Sequence, residues 1–268
     1  MRLKEQTVCG LAAVKALFAR DTAAIKRLYF DYPTGRRIGI ICRTLAAARK
    51  IYRCVEPAEL EKIAGTVHHG GIVAVIEPRV LRPPRPEDIR RWAQEHAPLL
   101  LLDRIGNAHN LGAIVRTAAF FGVEHIVIAD DSLQALPGEA TYRVAEGGME
   151  YVEIHQVKSL AEFIRELRPF YTVIGSAVRG GEPLISISRP QPPGTKPPAL
   201  VLGNEEQGLA PDVAAACEQT VHIPGAGAIE SLNVSAAGAI LLRHFFGRST
   251  HPGRVDAVAV KQLVPKKL

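Results

Sequence analysis

Short apolar runs alternate along this chain with stretches whose apolar residues recur at helical spacing, the signature of strands alternating with helices. The runs Ile25–Phe30, Tyr52–Val55, Ile72–Glu77, Leu99–Asp103, His125–Ala129, Tyr171–Ala177, Ala199–Leu202 and Gln219–Ile223 read as strands. Helices are expected at Gly10–Ala19, within Thr34–Tyr52, at Pro57–Gly65, Pro86–His96 and Leu111–Phe121, over residues 159–168, and at Pro211–Glu218 and Val234–Phe246. Asp130–Tyr151 reads as a long polar connection and Gly180–Pro198 as a proline-rich loop. The alternation predicts an α/β fold, a parallel sheet with both faces covered by helices. Before it stands a smaller α/β unit with a three- to four-stranded, mostly parallel sheet.

Pro78, Pro83, Pro84 and Pro86 interrupt the pattern with a stiff extended stretch. They divide the chain into a first domain (1–78), a linker (79–98), a larger domain (99–248) and a basic tail (249–268) carrying Lys261, Lys266 and Lys267. The 268 residues suffice for two cores of ordinary size, and 47% apolar with 22% charged residues is normal for a soluble globular protein. No apolar run approaches the roughly 20 residues that span a bilayer. Lys15 interrupts the one mildly apolar N-terminal patch, so no signal peptide is expected. Cys9, Cys42, Cys54 and Cys217 are scattered, which fits a reducing cytoplasm rather than a disulfide framework. The pair His68-His69 has no Cys, Asp or Glu at ligand spacing, so no metal is expected there or elsewhere. Residues 1–98 hold 18 Lys and Arg against 10 Asp and Glu, so the whole basic surplus lies in the first part of the chain. Arg36, Arg37, Arg43, Arg49, Lys50 and Arg53 gather on or beside its middle helix, a charge pattern suited to a phosphate backbone or simply to a solvated face.

Three segments share one design of strand, polar or glycine-rich loop, then helix: Leu99–Gly122, Ala199–Leu209 and Glu218–Phe246. In the last, Pro224 ends the strand, and Gly225 and Gly227 let another molecule approach the main chain. Ser231 or Asn233 is placed to cap the following helix, whose apolar residues wrap nearly its whole circumference and predict burial. In parallel sheets such loops converge at the carboxyl ends of the strands, where ligands bind. Gly225-Ala226-Gly227 does not complete a dinucleotide fingerprint, because Pro224 precedes it and Glu230 stands in place of the third glycine.

The three segments, in this order, resemble the SpoU (TrmH-like) family of RNA ribose 2′-O-methyltransferases. The first matches as Asn110-x-Gly112, then Arg116, Ala118 and Phe121-Gly122; the second as Leu202-Gly203-Asn204-Glu205 with Gly208-Leu209. The third matches as Ile223-Pro224, Gly227 and Ser231-Leu232-Asn233-Val234-Ser235. The likeness is strong over Leu99–Gly247 and looser before it, where His68-His69-Gly70-Gly71-Ile72 is similar to the end of the substrate-binding domain many such proteins carry. The resemblance implies a SPOUT-like fold with a C-terminal trefoil knot, an L30e-like first domain, and a homodimer with its active site near the interface. It implies S-adenosylmethionine as cofactor, held at Gly203, Ile223, Leu232 and, at a strand end, Ala177, and transfer or ribosomal RNA as partner. Arg116, Asn110, Glu205, Ser231 and Asn233 match the catalytic positions. Arg116 is implied as proton acceptor; since arginine stays protonated, holding phosphate and stabilising an alkoxide is the physically easier role. The family commonly has methionine where this chain has Gly225, a change that bears on rate or substrate choice. The competing reading is a non-catalytic RNA-binding protein that retains the fold.

Overall fold

The computed structural model describes residues 5–187 and 195–247; the expected basic tail lies outside the described residues. The first part runs β1 (Gln6–Cys9), α1 (Leu11–Arg20), β2 (Arg27–Phe30), α2 (Tyr32–Gly35), α3 (Gly39–Ala47), β3 (Ile51–Cys54), α4 (Pro57–Ala64) and β4 (Ile72–Ile76). After the proline-rich stretch come α5 (Pro86–Gln94), β5 (Leu99–Leu102), α6 (Ala108–Phe120), β6 (His125–Ala129), α7 (Glu139–Ala145), β7 (Glu153–Val157) and α8 (Leu160–Leu167). The chain continues through β8 (Thr172–Ala177), β9 (Glu182–Pro183), β10 (Pro198–Leu202), α9 (Pro211–Ala216), β11 (Gln219–His222) and α10 (Val234–Phe246).

The first sheet has the order β1-β4-β2-β3. Only β2 and β3 are parallel; β4, buried along its whole length, runs antiparallel to both β1 and β2. The expectation of a mostly parallel sheet is therefore corrected. Periodicity carries no strand direction, and β1 is a four-residue strand that opens on Gln6. A tight turn reverses the chain into β4: Gly70 and Gly71 take φ of +60° and +77°, and Gly10 N–H donates to the carbonyls of His69 and Ile72. A side chain at Gly71 would collide with Asp31 and Thr34.

The second sheet, ordered β7-β6-β5-β10-β8-β11-β9, is parallel at every pairing. The central strands β5 and β10 are entirely buried, so their apolar runs show no alternation although their side chains do alternate in space. Leu100, Leu102, Leu200 and Leu202 face one core with α6 and α10; Leu99, Leu101, Ala199 and Val201 face the other with α5, α8 and α9. The polar connection after β6 holds α7 and leads to β7. Gly112 lets α6 approach α7 closely, since a Cβ there would lie 2.8 Å from the Thr141 carbonyl oxygen. Helix α10 is less buried than its composition predicts. Val234, Gly238, Leu241, Leu242 and Phe245 form the inward stripe, while Ile240 is 42% exposed because that side borders an open cleft.

One apolar core joins the two sheets, running from Val14 and Leu17 of α1 to Tyr142 and Met149 around α7. At the seam Gly147, with φ +96°, sits against α1, where a Cβ would lie 2.8 Å from Ala16 Cβ. Arg79 pairs with Glu150 and donates to the Met149 carbonyl at 2.6 Å, and Arg143 Nη1 donates to Thr66 Oγ1 at 3.1 Å. Burial raises the Glu150 carboxyl pKa and Arg79 opposes that shift. Removing Arg79 would leave Glu150 buried without its cation. The Arg79→Met variant should lose about 2–3 kcal/mol, a fall in Tm of roughly 5–10 °C by thermal denaturation.

Candidate active site

The loops leaving β8, β10 and β11 enclose a cleft of about 900 Å³ at the carboxyl ends of those strands. Asn204 and Gly208 close the loop after β10 with two mutual backbone hydrogen bonds of 3.0 Å. The Asn204 side chain accepts from Glu206 N and Gln207 N, and donates to the Arg104 carbonyl at 2.9 Å. Gly203 must be glycine, because a Cβ would lie 2.5 Å from both Gly208 C and Leu209 N.

Beneath this loop Asp103 is buried. Its carboxylate accepts from Ala210 N at 2.6 Å and from Arg104 Nε and Nη2 at 3.1 and 3.2 Å. Arg104, held at φ +57°, donates onward to Gln207 Oε1 and the Gly208 carbonyl. The Asp103 hydrogen bond raises the pKa of Arg104. The end of β5 is thus clamped to the loop after β10.

The cleft brings together Ala177, Gly203, Glu205, Ile223, Ser231 and Leu232 from three separate loops. Asn110 Nδ2 donates to Glu205 Oε1, and Asn233 Nδ2 donates to Asn110 Oδ1 at 3.1 Å, so these three side chains form one polar chain at the cleft edge. Asn233, not Ser231, caps α10, accepting from Ser235 N at 2.9 Å.

Arg116 lies elsewhere. Six residues beyond Asn110, it is about a third of a turn round α6 from it. It pairs with Glu146 at 3.0 Å, and both side chains are more than half exposed. Gly148 permits this arrangement, for a Cβ there would lie 3.1 Å from Arg116 Cα. Asp103, Arg104, Asn204 and Glu146 were not among the expected site residues. Asn204 carried a signal, standing inside the second motif, and Glu146 stands directly before Gly147-Gly148.

The cleft suits a nucleoside cofactor. Its size lies within the range of small-molecule sites, and the main chain at Gly225 and Gly227 faces open space. His222 Nδ1, on a residue lining the same cleft, is buried with no hydrogen-bond partner among the described residues.

The segments that form this cleft are the ones whose sequence resembles the SpoU family, and comparison with known proteins bears the resemblance out. Residues 97–243 match the SpoU rRNA methylase family and residues 7–80 match the RNA 2′-O ribose methyltransferase substrate-binding family. The chain belongs to the SpoU methylase family. It is 34% identical over 269 residues to the 23S rRNA (guanosine-2′-O-)-methyltransferase RlmB of Ralstonia nicotianae, covering 98% of this chain and 99% of that one. It is also 34% identical over 245 residues to YfiF of Escherichia coli O157:H7, named an uncharacterized tRNA/rRNA methyltransferase, covering 90% of this chain and 68% of that one. The AdoMet-bound rRNA methyltransferase of Sinorhizobium meliloti superposes with a TM-score of 0.72 at 25% identity, covering 90% of this chain and 86% of that one. Among the described residues no helix is long and apolar enough to cross a membrane.

The Gly203→Ala variant should lose at least tenfold in S-adenosylmethionine affinity, measured by calorimetry, because the added methyl group forces the loop after β10 away from Gly208.

Proposed function

We propose that the chain methylates the ribose 2′-hydroxyl of a guanosine in large-subunit ribosomal RNA, with residues 1–78 binding RNA and 99–248 carrying the reaction. The single observation that carries the site assignment is the convergence of Glu205, Asn110 and Asn233 beside a cleft of cofactor size. The RlmB name of a relative matched over nearly its full length supports the choice of RNA. The C-terminal segment is read as a trefoil knot, supported by β10 lying between β5 and β8, and the first unit as L30e-like. A reducing cytoplasm is the compartment that fits four free cysteines and an RNA substrate.

The bound cofactor supplies an electrophilic methyl carbon on a sulfonium. Gly203, Ile223, Leu232 and Ala177, which line the cleft, would hold it through main-chain groups and apolar contacts. The hydroxyl must be aligned with that carbon and must lose its proton as the new bond forms. Glu205 lines the cleft, oriented by the Asn110 amide, and is placed to take the proton. Asn110 and Asn233 hold Glu205 and the ribose, and Ser231 shapes the wall. Arg116 remains a cation, held by Glu146, and stabilises the developing alkoxide and the adjacent phosphate. Because Arg116 does not line its own chain's cleft, the reading includes a homodimer in which a second copy supplies this arginine.

Arg36, Arg37, Arg43, Arg49 and Arg53 are all exposed, and Tyr32, Ile40 and Tyr52 are exposed among them. Lys50 differs, since its ammonium is bonded to the carbonyls of Thr22 and Ala23. Cations interleaved with aromatic rings suit RNA phosphates and unstacked bases. Replacing Arg43, Arg49 and Arg53 together by Glu should raise KM for RNA at least tenfold with kcat little changed, and flatten its salt dependence.

The deciding assay is transfer of labelled methyl groups from S-adenosylmethionine to separate, undermodified transfer and ribosomal RNA pools. Label should enter ribosomal RNA in a form resistant to 2′-hydroxyl-dependent cleavage. Arg116→Ala should reduce kcat about 100-fold or more. Label confined to transfer RNA would overturn the substrate. Failure to bind cofactor or to label either pool would favour the non-catalytic reading.

A further inference from the structure

A second cluster lies at the opposite edge of the parallel sheet, remote in sequence from all three cleft loops. In the β6–β7 register His125 lies beside Glu153 and Val127 beside His155. Glu153 and His155, two residues apart on one strand, share the face on which His125 projects. His155 Nε2 is 3.5 Å from His125 Nδ1 and 3.8 Å from Glu153 Oε2, and that same oxygen is 4.0 Å from His125 Nδ1. We propose that His125, Glu153 and His155 form a binding site for one divalent transition-metal cation of the zinc class.

The distances are the first argument. Separations of 3.5 to 4.0 Å are long for hydrogen bonds. They are right for ligands of one ion: a triangle with these sides has its corners about 2.2 Å from a common centre, close to zinc–nitrogen and zinc–oxygen bond lengths. The donor set is the second argument. Two imidazoles and one carboxylate suit zinc and its borderline neighbours and disfavour magnesium or calcium. The surroundings are the third. Gln156, next to His155 on β7, donates its N–H to the Arg82 carbonyl at 3.2 Å, which holds this part of the strand against the linking segment. Trp92 of α5 stacks on His125 with ring centroids 3.9 Å apart and planes inclined by 23°. A cavity of about 390 Å³ borders all three side chains and leaves room for water in the remaining coordination positions.

The site would join three pieces of the chain: edge strand β7, its neighbour β6, and the segment of Arg82 and α5 that links the two sheets. The same cavity reaches Arg20 and Arg79 at the seam. The bound cation would tie edge strand β7 to β6 beside that seam, independent of the methyl-transfer reading.

Trp92 is the single tryptophan of the chain and touches a proposed ligand, so it reports binding directly. Untagged protein, stripped with a chelator, is titrated with Zn²⁺ by calorimetry and with Co²⁺ by visible absorption and Trp92 fluorescence. The site predicts one equivalent per chain, quenching of Trp92 that saturates at that equivalent, and the visible bands of four- or five-coordinate Co²⁺. Glu153→Gln and His155→Asn should each weaken binding at least tenfold, and His68→Ala/His69→Ala should leave it unchanged. Glu153 is 69% exposed, so its variant keeps the test intact if the buried His155 variant fails to fold. No stoichiometric binding by the wild-type chain would overturn the proposal, as would binding unaffected by Glu153→Gln.

Discussion

The cleft depends on one buried carboxylate. Asp103 ends the strand that begins the methyltransferase core, and its two oxygens hold the Arg104 guanidinium and the Ala210 amide from the far side of the loop after β10. Removing the charge would leave half-buried Arg104, in its left-handed backbone position, without its paired carboxylate, and Ala210 N after the Gly203–Gly208 loop without its acceptor. Glu205 sits on that loop, Asn110 reaches it from α6, and Asn233, the N-cap of α10, reaches Asn110. The geometry of the polar chain is therefore set by a residue that never faces the cleft.

Much of this was legible in the sequence because buried parallel strands are written as unbroken apolar runs. Leu99–Asp103 reads as a buried strand and Ala199–Leu202 as a strand, and the three strand–loop–helix segments do converge at one end of the sheet, where the first two pair. What could not be read has a common cause. The first sheet runs partly antiparallel, and β1, β7 and α7 are short and polar, so local periodicity is weak there. Arg116 and Glu146 are 30 residues apart, and their pairing depends on how closely Gly148 lets α7's exit approach α6. The His125, Glu153 and His155 cluster is similarly a product of strand register. Each residue alone is an ordinary polar position at a sheet edge.

Small residues recur where segments must touch. Gly112 between α6 and α7, Gly147 against α1, and Gly203 against Gly208 each occupy a place where a single methyl group would collide with main chain or a packed side chain. Close approach of backbones, rather than large side chains, brings the loops and helices into register around the cleft. The position of Gly225 has no such constraint: nothing lies within 4 Å of where its Cβ would be. A larger side chain fits there, so its absence changes the width of the cleft and not the path of the chain.

The continuous core between the two sheets has a mechanical consequence. A substrate-binding unit on a loose tether would raise the local concentration of RNA and let the cleft sample many nucleotides within reach. Here Gly147 against α1 and the Arg79–Glu150 pair fix the arginine-rich edge of the first sheet at a set span from Glu205. On the proposed function, in which this edge grips phosphates, the molecule would work as a gauge, selecting the nucleotide that the RNA fold places at that span.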